Sequence, residues 1–128
     1  MISEASLKRR CRVVTNSDKG LEGENKASRY LEDNGYTILE RRFRSGPGEV
    51  DIIVRKGELV VFVEVKTWDV LGMESLEHSI DSRKRGKIRK TASLFLLRHP
   101  ELGGCRIRFD LIFLSRRMEK LDHWENAF

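Results

Sequence analysis

The chain has 128 residues, of which 39% are hydrophobic and 35% charged, a length that suits one domain around a single core. That composition is too apolar for wholesale disorder, and no apolar run approaches the length of a membrane span. Lys and Arg number 25 against 20 Asp and Glu, so the net charge is +5 and the pI is near 9.5, a balance that favours polyanionic partners without naming one.

The start of the chain, from Met1 to Lys8, carries no apolar signal core. Cys11 and Cys105 are the only cysteines and form no closely spaced pair, so incidental thiols are expected rather than an export disulfide. Both features predict a cytoplasmic protein with no membrane partner. Residues 1–19 hold Lys8, Arg9, Arg10, Arg12 and Lys19 among few large apolar groups, and read as a basic, flexible arm. Residues 20–128 are left as the single domain.

A helix is predicted from about Leu21 to Asn34, stopped by Asn34-Gly35. At about 100° per residue, Ala27, Tyr30 and Leu31 share its inner side. Glu24 falls on that same side and breaks the pattern. A strand follows at about Thr37–Arg44, then a turn at Ser45-Gly46-Pro47-Gly48. Two strands, about Glu49–Arg55 and Leu59–Lys66, form a hairpin through Lys56-Gly57-Glu58. A second helix covers about Asp81–Arg98 and ends before Pro100. Ile107–Leu114 reads as a fourth strand, and Leu121–Trp124 as a short fifth. The order α-β-β-β-α-β predicts an α/β domain with a mixed sheet and helices on both faces.

The hairpin carries the chemistry. Side chains alternate along a strand, so Leu59, Val61, Val63 and Val65 share one face while Val60, Phe62, Glu64 and Lys66 share the other. In the preceding strand the alternation sets Val50, Ile52 and Val54 against Asp51, Ile53 and Arg55. Pairing the two apolar rows brings Asp51, Glu64 and Lys66 together. Two carboxylates at close quarters raise a pKa or recruit a cation. A divalent metal on Asp51 and Glu64 resolves the repulsion, and Mg²⁺ (or Mn²⁺ in its place) suits carboxylate oxygen with retained waters. Such a metal polarises a phosphodiester and activates a water. Lys66 would position that water or steady phosphate charge, and Glu24 would complete the shell. A lone Glu-x-Lys in a strand ordinarily reads as an exposed pair guarding a sheet edge. Asp51 in register and Glu24 on the inner side of its helix are what move the reading toward a catalytic site.

Basic residues flank this site. Arg41, Arg42 and Arg44 stand beside the Gly48 turn, and Lys84, Arg85 and Lys87 lie on the second helix with Arg83, Arg89 and Lys90. They are the candidate nucleic-acid contacts, and phosphate-directed charge of this kind gives affinity without sequence readout. Lys84 falls inside the apolar stripe, where a lysine either snorkels to solvent or reaches a phosphate at the site. Asp110 reads as a structural partner of Arg108, and His78, His99 and His123 as surface residues. Gly46, Gly48 and Gly57 read as turn glycines.

Gly48-Glu49-Val50-Asp51, followed after a spacer by Val61-Phe62-Val63-Glu64-Val65-Lys66-Thr67, resembles the core signature of the PD-(D/E)XK nuclease superfamily. More closely, the chain resembles the YraN-like family of small bacterial proteins from about Gly20 to Phe128. The likeness takes in Gly23-Glu24, Ala27, Tyr30 and Leu31, then Lys84 and Ile88, Arg108-Phe109-Asp110, and the ending Asn126-Ala127-Phe128. Val50 stands where the superfamily's name has Pro, and Arg85 follows Lys84 where many relatives have Gln. The resemblance implies a restriction-endonuclease-like fold and Mg²⁺-dependent phosphodiester hydrolysis. It also implies Asp51 and Glu64 as metal ligands, Lys66 as catalytic lysine, and Glu24 as counterpart of a helical Glu in Holliday-junction resolvases. The expected function is a DNA endonuclease, on branched or structured DNA. A non-catalytic nucleic-acid-binding module is the alternative, and a protein-interaction domain a third. A homodimer stays open.

Overall fold

The structure is a computed structural model that describes residues 16–46, 48–68, 82–115 and 120–128. Helix α1 (Asn16–Asp33) leads into strands β1 (Thr37–Ser45), β2 (Gly48–Lys56) and β3 (Leu59–Trp68). Helix α2 (Ser82–Leu97), a short 3₁₀ turn (Pro100–Leu102), β4 (Arg106–Ser115) and β5 (Lys120–Trp124) complete the chain. The order is the one expected from the sequence. Helix α1 starts at Asn16, ahead of the predicted Leu21, and so takes in the last residues assigned to the arm. Asn16, Ser17 and Asp18 are the residue types that open helices, and a glycine such as Gly20 inside a helix costs only about 1 kcal/mol. Residues 1–15, with Cys11, and His78 lie outside the described residues.

The five strands form one sheet in the order β1-β2-β3-β4-β5. All neighbours are antiparallel except β3 and β4, which are parallel. A parallel pair needs a crossover, and α2 is the helix in that connection. The apolar rows define two cores, one on each face. Ala27 and Leu31 of α1 pack with Ile52, Val54, Val61, Val63, Ile112 and Leu114. Ile88, Ala92 and Phe95 of α2 pack with Phe43, Val50, Ile53, Val60 and Phe62. Phe95 anchors the second core, edge-on to Phe43 at 5.2 Å and to Phe62 at 5.9 Å. Replacing such a ring by Ala typically costs about 3–5 kcal/mol.

Two glycines set how closely the helices approach the sheet. A Cβ on Gly23 would collide with Thr67 Oγ1, so α1 rests on the end of β3 at that point. A Cβ on Gly48 would collide with Thr91 Oγ1 and lie 2.9 Å from the Lys87 carbonyl oxygen, so α2 rests on the start of β2. Gly48 is therefore a close-approach glycine within a strand, not the turn glycine expected. Gly46 and Gly57, both with φ +60°, are the turn glycines.

One expected row is corrected. Val50 packs in the α2 core with Ile53, whereas Ile52 and Val54 pack in the α1 core. Strict alternation breaks between Val50 and Ile52, at Asp51. The β2–β3 ladder also stops at Ile52↔Val63, so Asp51 sits just past its last rung.

Candidate active site

The break at Asp51 builds the site. Continued in register, Val65 would face Val50 and bond to its backbone; instead the Val65 N–H donates to Asp51 Oδ2 at 2.8 Å. The Asp51 side chain thus replaces a missing ladder bond and is held beside β3. There it meets Glu64, which is 7% exposed. Burial, then a hydrogen bond and charge repulsion from Glu64, push the Asp51 pKa up to about 8. Asp51 therefore holds its proton more readily than a free aspartate does.

Lys66 and Lys84 stand against this pair from the α2 side. Lys84 Nζ lies 3.9 Å from Glu64 Oε2. It also stands within hydrogen-bonding reach of Lys66, whose pKa is lowered by burial first and by Lys84 second. Lys84 thus uses its place in the apolar stripe to reach inward to the carboxylates. From its N-terminal end to Leu97, α2 contains no Asp or Glu. Arg85 and Lys87 are exposed on it.

Glu24 reaches the region from α1, on the other face of the sheet. Burial is the main cause raising its pKa, with the Asp51 charge adding to it and Arg42 opposing it. Arg42 Nε donates to both Glu24 oxygens, at 3.0 and 3.1 Å. Arg41 lies 3.8 Å from Glu24 Oε1 and donates to Asn25 Oδ1 at 2.8 Å. Arg44 pairs with Glu49 at 3.3 Å, well exposed. The fold thus brings Asp51, Glu64, Lys66 and Lys84 together and places Glu24 nearby in the grip of Arg42. It spreads Arg44, Arg85 and Lys87 along the surface.

Two neighbouring carboxyl groups, Glu64 buried and Asp51 half-buried, beside two lysines make a donor set that fits a hydrated divalent cation better than a softer metal. Among the described residues, no three of His, Cys, Asp and Glu stand together as a ready-made metal cage. The fit is therefore to a cation held by Asp51 and Glu64 that keeps most of its waters.

Sequence reasoning missed a second polar cluster. Asp110 is fully buried and accepts from Arg108 Nε and Nη2 at 2.9 and 2.8 Å, from the Asn126 N–H at 2.9 Å, and from His123 Nε2 at 2.7 Å. With Nε2–H given to Asp110, His123 Nδ1 accepts from the Tyr30 hydroxyl at 2.9 Å. Arg108 also donates to the Tyr36 hydroxyl at 2.8 Å. The structural role expected for Asp110 holds, but His123 is an inward-facing residue rather than a surface one. Its side chain is only 7% exposed because β5 pairs with β4 and turns it toward α1. His99 likewise lies on the Phe95 ring at 4.0 Å, with Nδ1 2.8 Å from the Phe95 carbonyl oxygen.

Among the described residues, no helix is long and apolar enough to cross a membrane. The profile of the uncharacterised protein family UPF0102 matches residues 23–114, a span that contains Glu24, Asp51, Glu64, Lys66 and Lys84. A UPF0102 protein of Persephonella marina is 44% identical over 110 residues, which cover 86% of this chain and 92% of the relative. A UPF0102 protein of Geobacter metallireducens is 40% identical over 115 residues, covering 88% and 93%. One of Syntrophomonas wolfei is 39% identical over 115 residues, covering 88% and 99%. The chain belongs to the uncharacterised protein family UPF0102, which is the YraN-like family its motifs resemble.

Proposed function

We propose that the chain is a divalent-metal-dependent nuclease that hydrolyses phosphodiester bonds in DNA, with branched or otherwise structured DNA as the preferred form. The observation that carries this reading is the close pairing of half-buried Asp51 with buried Glu64, whose proximity raises the Asp51 pKa, flanked by Lys66 and Lys84. A stability role does not explain it, because a buried acid pair of this kind is costly to a fold.

In this reading Asp51 and Glu64 hold Mg²⁺ or Mn²⁺. The bound ion would supply Lewis acidity toward the phosphodiester and a water of lowered pKa. Lys66, half-buried at the carboxylates, steadies negative charge as it grows on the reacting phosphate. Lys84 holds Glu64 in place and offers a second cation to the same phosphate. The acid-free α2, through Arg85 and Lys87, tracks neighbouring phosphates and adds affinity without sequence preference. A binding module without turnover is the second reading, and the closure of Arg42 over Glu24 favours it, since that carboxylate is engaged elsewhere.

The test is a cleavage panel of linear, single-stranded, flapped and four-way-junction DNA with Mg²⁺ or Mn²⁺ and an EDTA control. Metal-dependent cleavage of at least one form is expected. Lys66→Ala should lower the rate by about 10²-fold or more while the protein stays folded. Equal rates for wild type and Lys66→Ala would remove this site from the chemistry.

A further inference from the structure

The contact between Arg42 and Glu24 has an unusual construction. Both Glu24 oxygens are taken by one guanidinium nitrogen, at 3.0 and 3.1 Å. The two partners differ sharply in exposure: the Glu24 side chain is 9% exposed and that of Arg42 39%. Arg42 makes the contact from a left-handed backbone, φ 53°, which side-chain-bearing residues rarely adopt. In the β1–β2 ladder it lies between the rungs Arg41↔Ile52 and Phe43↔Val50, which sets it directly across from Asp51. The guanidinium therefore stands where β1 passes the Asp51–Glu64 pair, with Glu24 behind it and solvent in front.

We propose that Glu24 is a third cation ligand held in reserve, kept from the Asp51–Glu64 pair by Arg42 and released when a nucleic-acid phosphate takes the Arg42 guanidinium. The inference rests on the metal-dependent reading of the site. A guanidinium binds carboxylate and phosphate with the same fork of donors, so the exchange replaces one charge-assisted contact by another. The exposed side of Arg42 is open to an incoming backbone. Once released, Glu24 is a buried charge left with only the longer Arg41 contact at 3.8 Å, and an under-compensated buried charge is strongly destabilising unless a cation neutralises it. The cation on Asp51 and Glu64 is the nearest candidate. Phosphate and metal binding are then linked: each tightens the other by the same factor. The site stays incomplete until substrate arrives, which guards against idle metal loading.

Mn²⁺ affinity of the full chain, measured with and without a short phosphorothioate duplex that resists hydrolysis, tests this without reference to turnover. In wild type the duplex should tighten Mn²⁺ binding on the order of fivefold or more. Arg42→Gln should bind Mn²⁺ tightly without duplex and gain nothing when it is added. Glu24→Gln should bind weakly in both conditions. Arg42→Lys keeps the charge but loses the fixed guanidinium Nε–H that meets both oxygens, so it should fall between wild type and Arg42→Gln, and it covers the case in which the Gln variant fails to fold. Coupling that persists in Arg42→Gln or Arg42→Lys at the wild-type level would overturn the proposal. A separate outcome speaks to the site itself: Asp51→Asn binding Mn²⁺ as wild type does would remove Asp51 from the metal site, whatever Arg42 does.

Discussion

Arg42 and Asp51 face each other across the β1–β2 ladder, and both strands change faces at that rung. Arg41 bonds to Asn25 of α1, whereas Phe43 packs edge-on against Phe95 of α2. Across from them, Ile52 belongs to the α1 core and Val50 to the α2 core. Residues two apart in a regular strand share a face. Here they do not on either strand, yet the pairing register is unchanged on both sides, from Arg41↔Ile52 to Phe43↔Val50. The irregularity turns Asp51 away from both cores and toward β3, where its carboxyl reaches the Val65 N–H and Glu64. The Arg42 backbone makes the matching turn on β1, and its side chain goes to Glu24.

This placement predicts a pH signature in metal-free protein. An acid whose folded pKa is raised stabilises the fold fully below its unfolded value, here 3.8, and loses that contribution as pH rises through about 8. Wild type in EDTA should therefore lose stability between pH 6 and pH 9 through this group. Asp51→Asn, which cannot ionise, should lose less and should exceed wild type at the upper end by about 1 kcal/mol or more. Urea unfolding at the two pH values measures it. Parallel losses in the two proteins would mean that the Asp51 charge is already compensated without metal.

The parts of this fold set by periodicity were legible. The row Leu59, Val61, Val63 and Val65 gave the inner face of β3, and Glu64 and Lys66 followed on the other. Helical phase put Glu24 on the inner side of α1. What periodicity could not show is a place where the period fails. The exchange of faces at Arg42 and Asp51 depends on a left-handed residue and on a side chain replacing a backbone bond. Neither leaves a mark in residue type, because Arg is an unusual choice for positive φ. The Arg42–Glu24 contact joins residues 18 apart through that same turn, so basic residues expected to meet phosphate are found on a carboxylate. His123 was misread for a related reason. Its burial comes from β5 pairing with β4 and from three residues, Arg108, His123 and Asn126, converging on Asp110, which only the folded chain brings together.

That second cluster carries a stability prediction. Asp110→Asn removes the charge that offsets Arg108, whose side chain is 19% exposed. Breaking one partner of a buried pair costs about 3–5 kcal/mol. Burial would raise the Asp110 pKa, but His123, Arg108 and the Asn126 N–H outweigh it and hold it below the ordinary 3.8. A depressed acid stabilises the fold above its unfolded pKa, and the contribution disappears as pH falls through the folded value. The gap between wild type and Asp110→Asn in chemical denaturation should thus be wide at pH 7 and narrow toward pH 3. A gap that stays constant with pH would assign the effect to shape rather than charge.

The surface of α2 gives a binding prediction. Arg85 and Lys87 are exposed, and neither contacts the carboxylate pair in the way Lys84 does. If each neutralises one phosphate, replacing both with Gln should reduce the slope of log affinity against log salt by about 1.8, at about 0.9 per contact. Sequence preference should hardly change, because phosphate contacts carry none. Duplex binding that is indifferent to salt in wild type would argue instead for a protein partner on this face.

A last prediction separates a nuclease from a binding module with a single substitution. Without metal, Glu64 and any ionised fraction of Asp51 repel an incoming phosphate. Asp51→Asn nearly preserves shape and can keep an oxygen facing the Val65 N–H, but it removes the ionisable group. Metal-free affinity for DNA should therefore hold or tighten, since Arg85, Lys87 and the rest of the basic surface are untouched. The Asp51–Glu64 pair meanwhile becomes a single carboxylate beside an amide, a poor seat for Mg²⁺ or Mn²⁺. Cleavage should collapse by about 10²-fold or more, in line with the loss of a principal electrostatic element of a site. Rate and affinity then move in opposite directions. A pure binding module predicts no rate to lose, and an exposed salt-bridge residue worth under about 1 kcal/mol predicts that neither quantity moves. Affinity in EDTA and Mn²⁺-supported cleavage, measured on one preparation, distinguish the three. Full cleavage by Asp51→Asn would take Asp51 out of the metal site and with it the mechanism built on the Asp51–Glu64 pair.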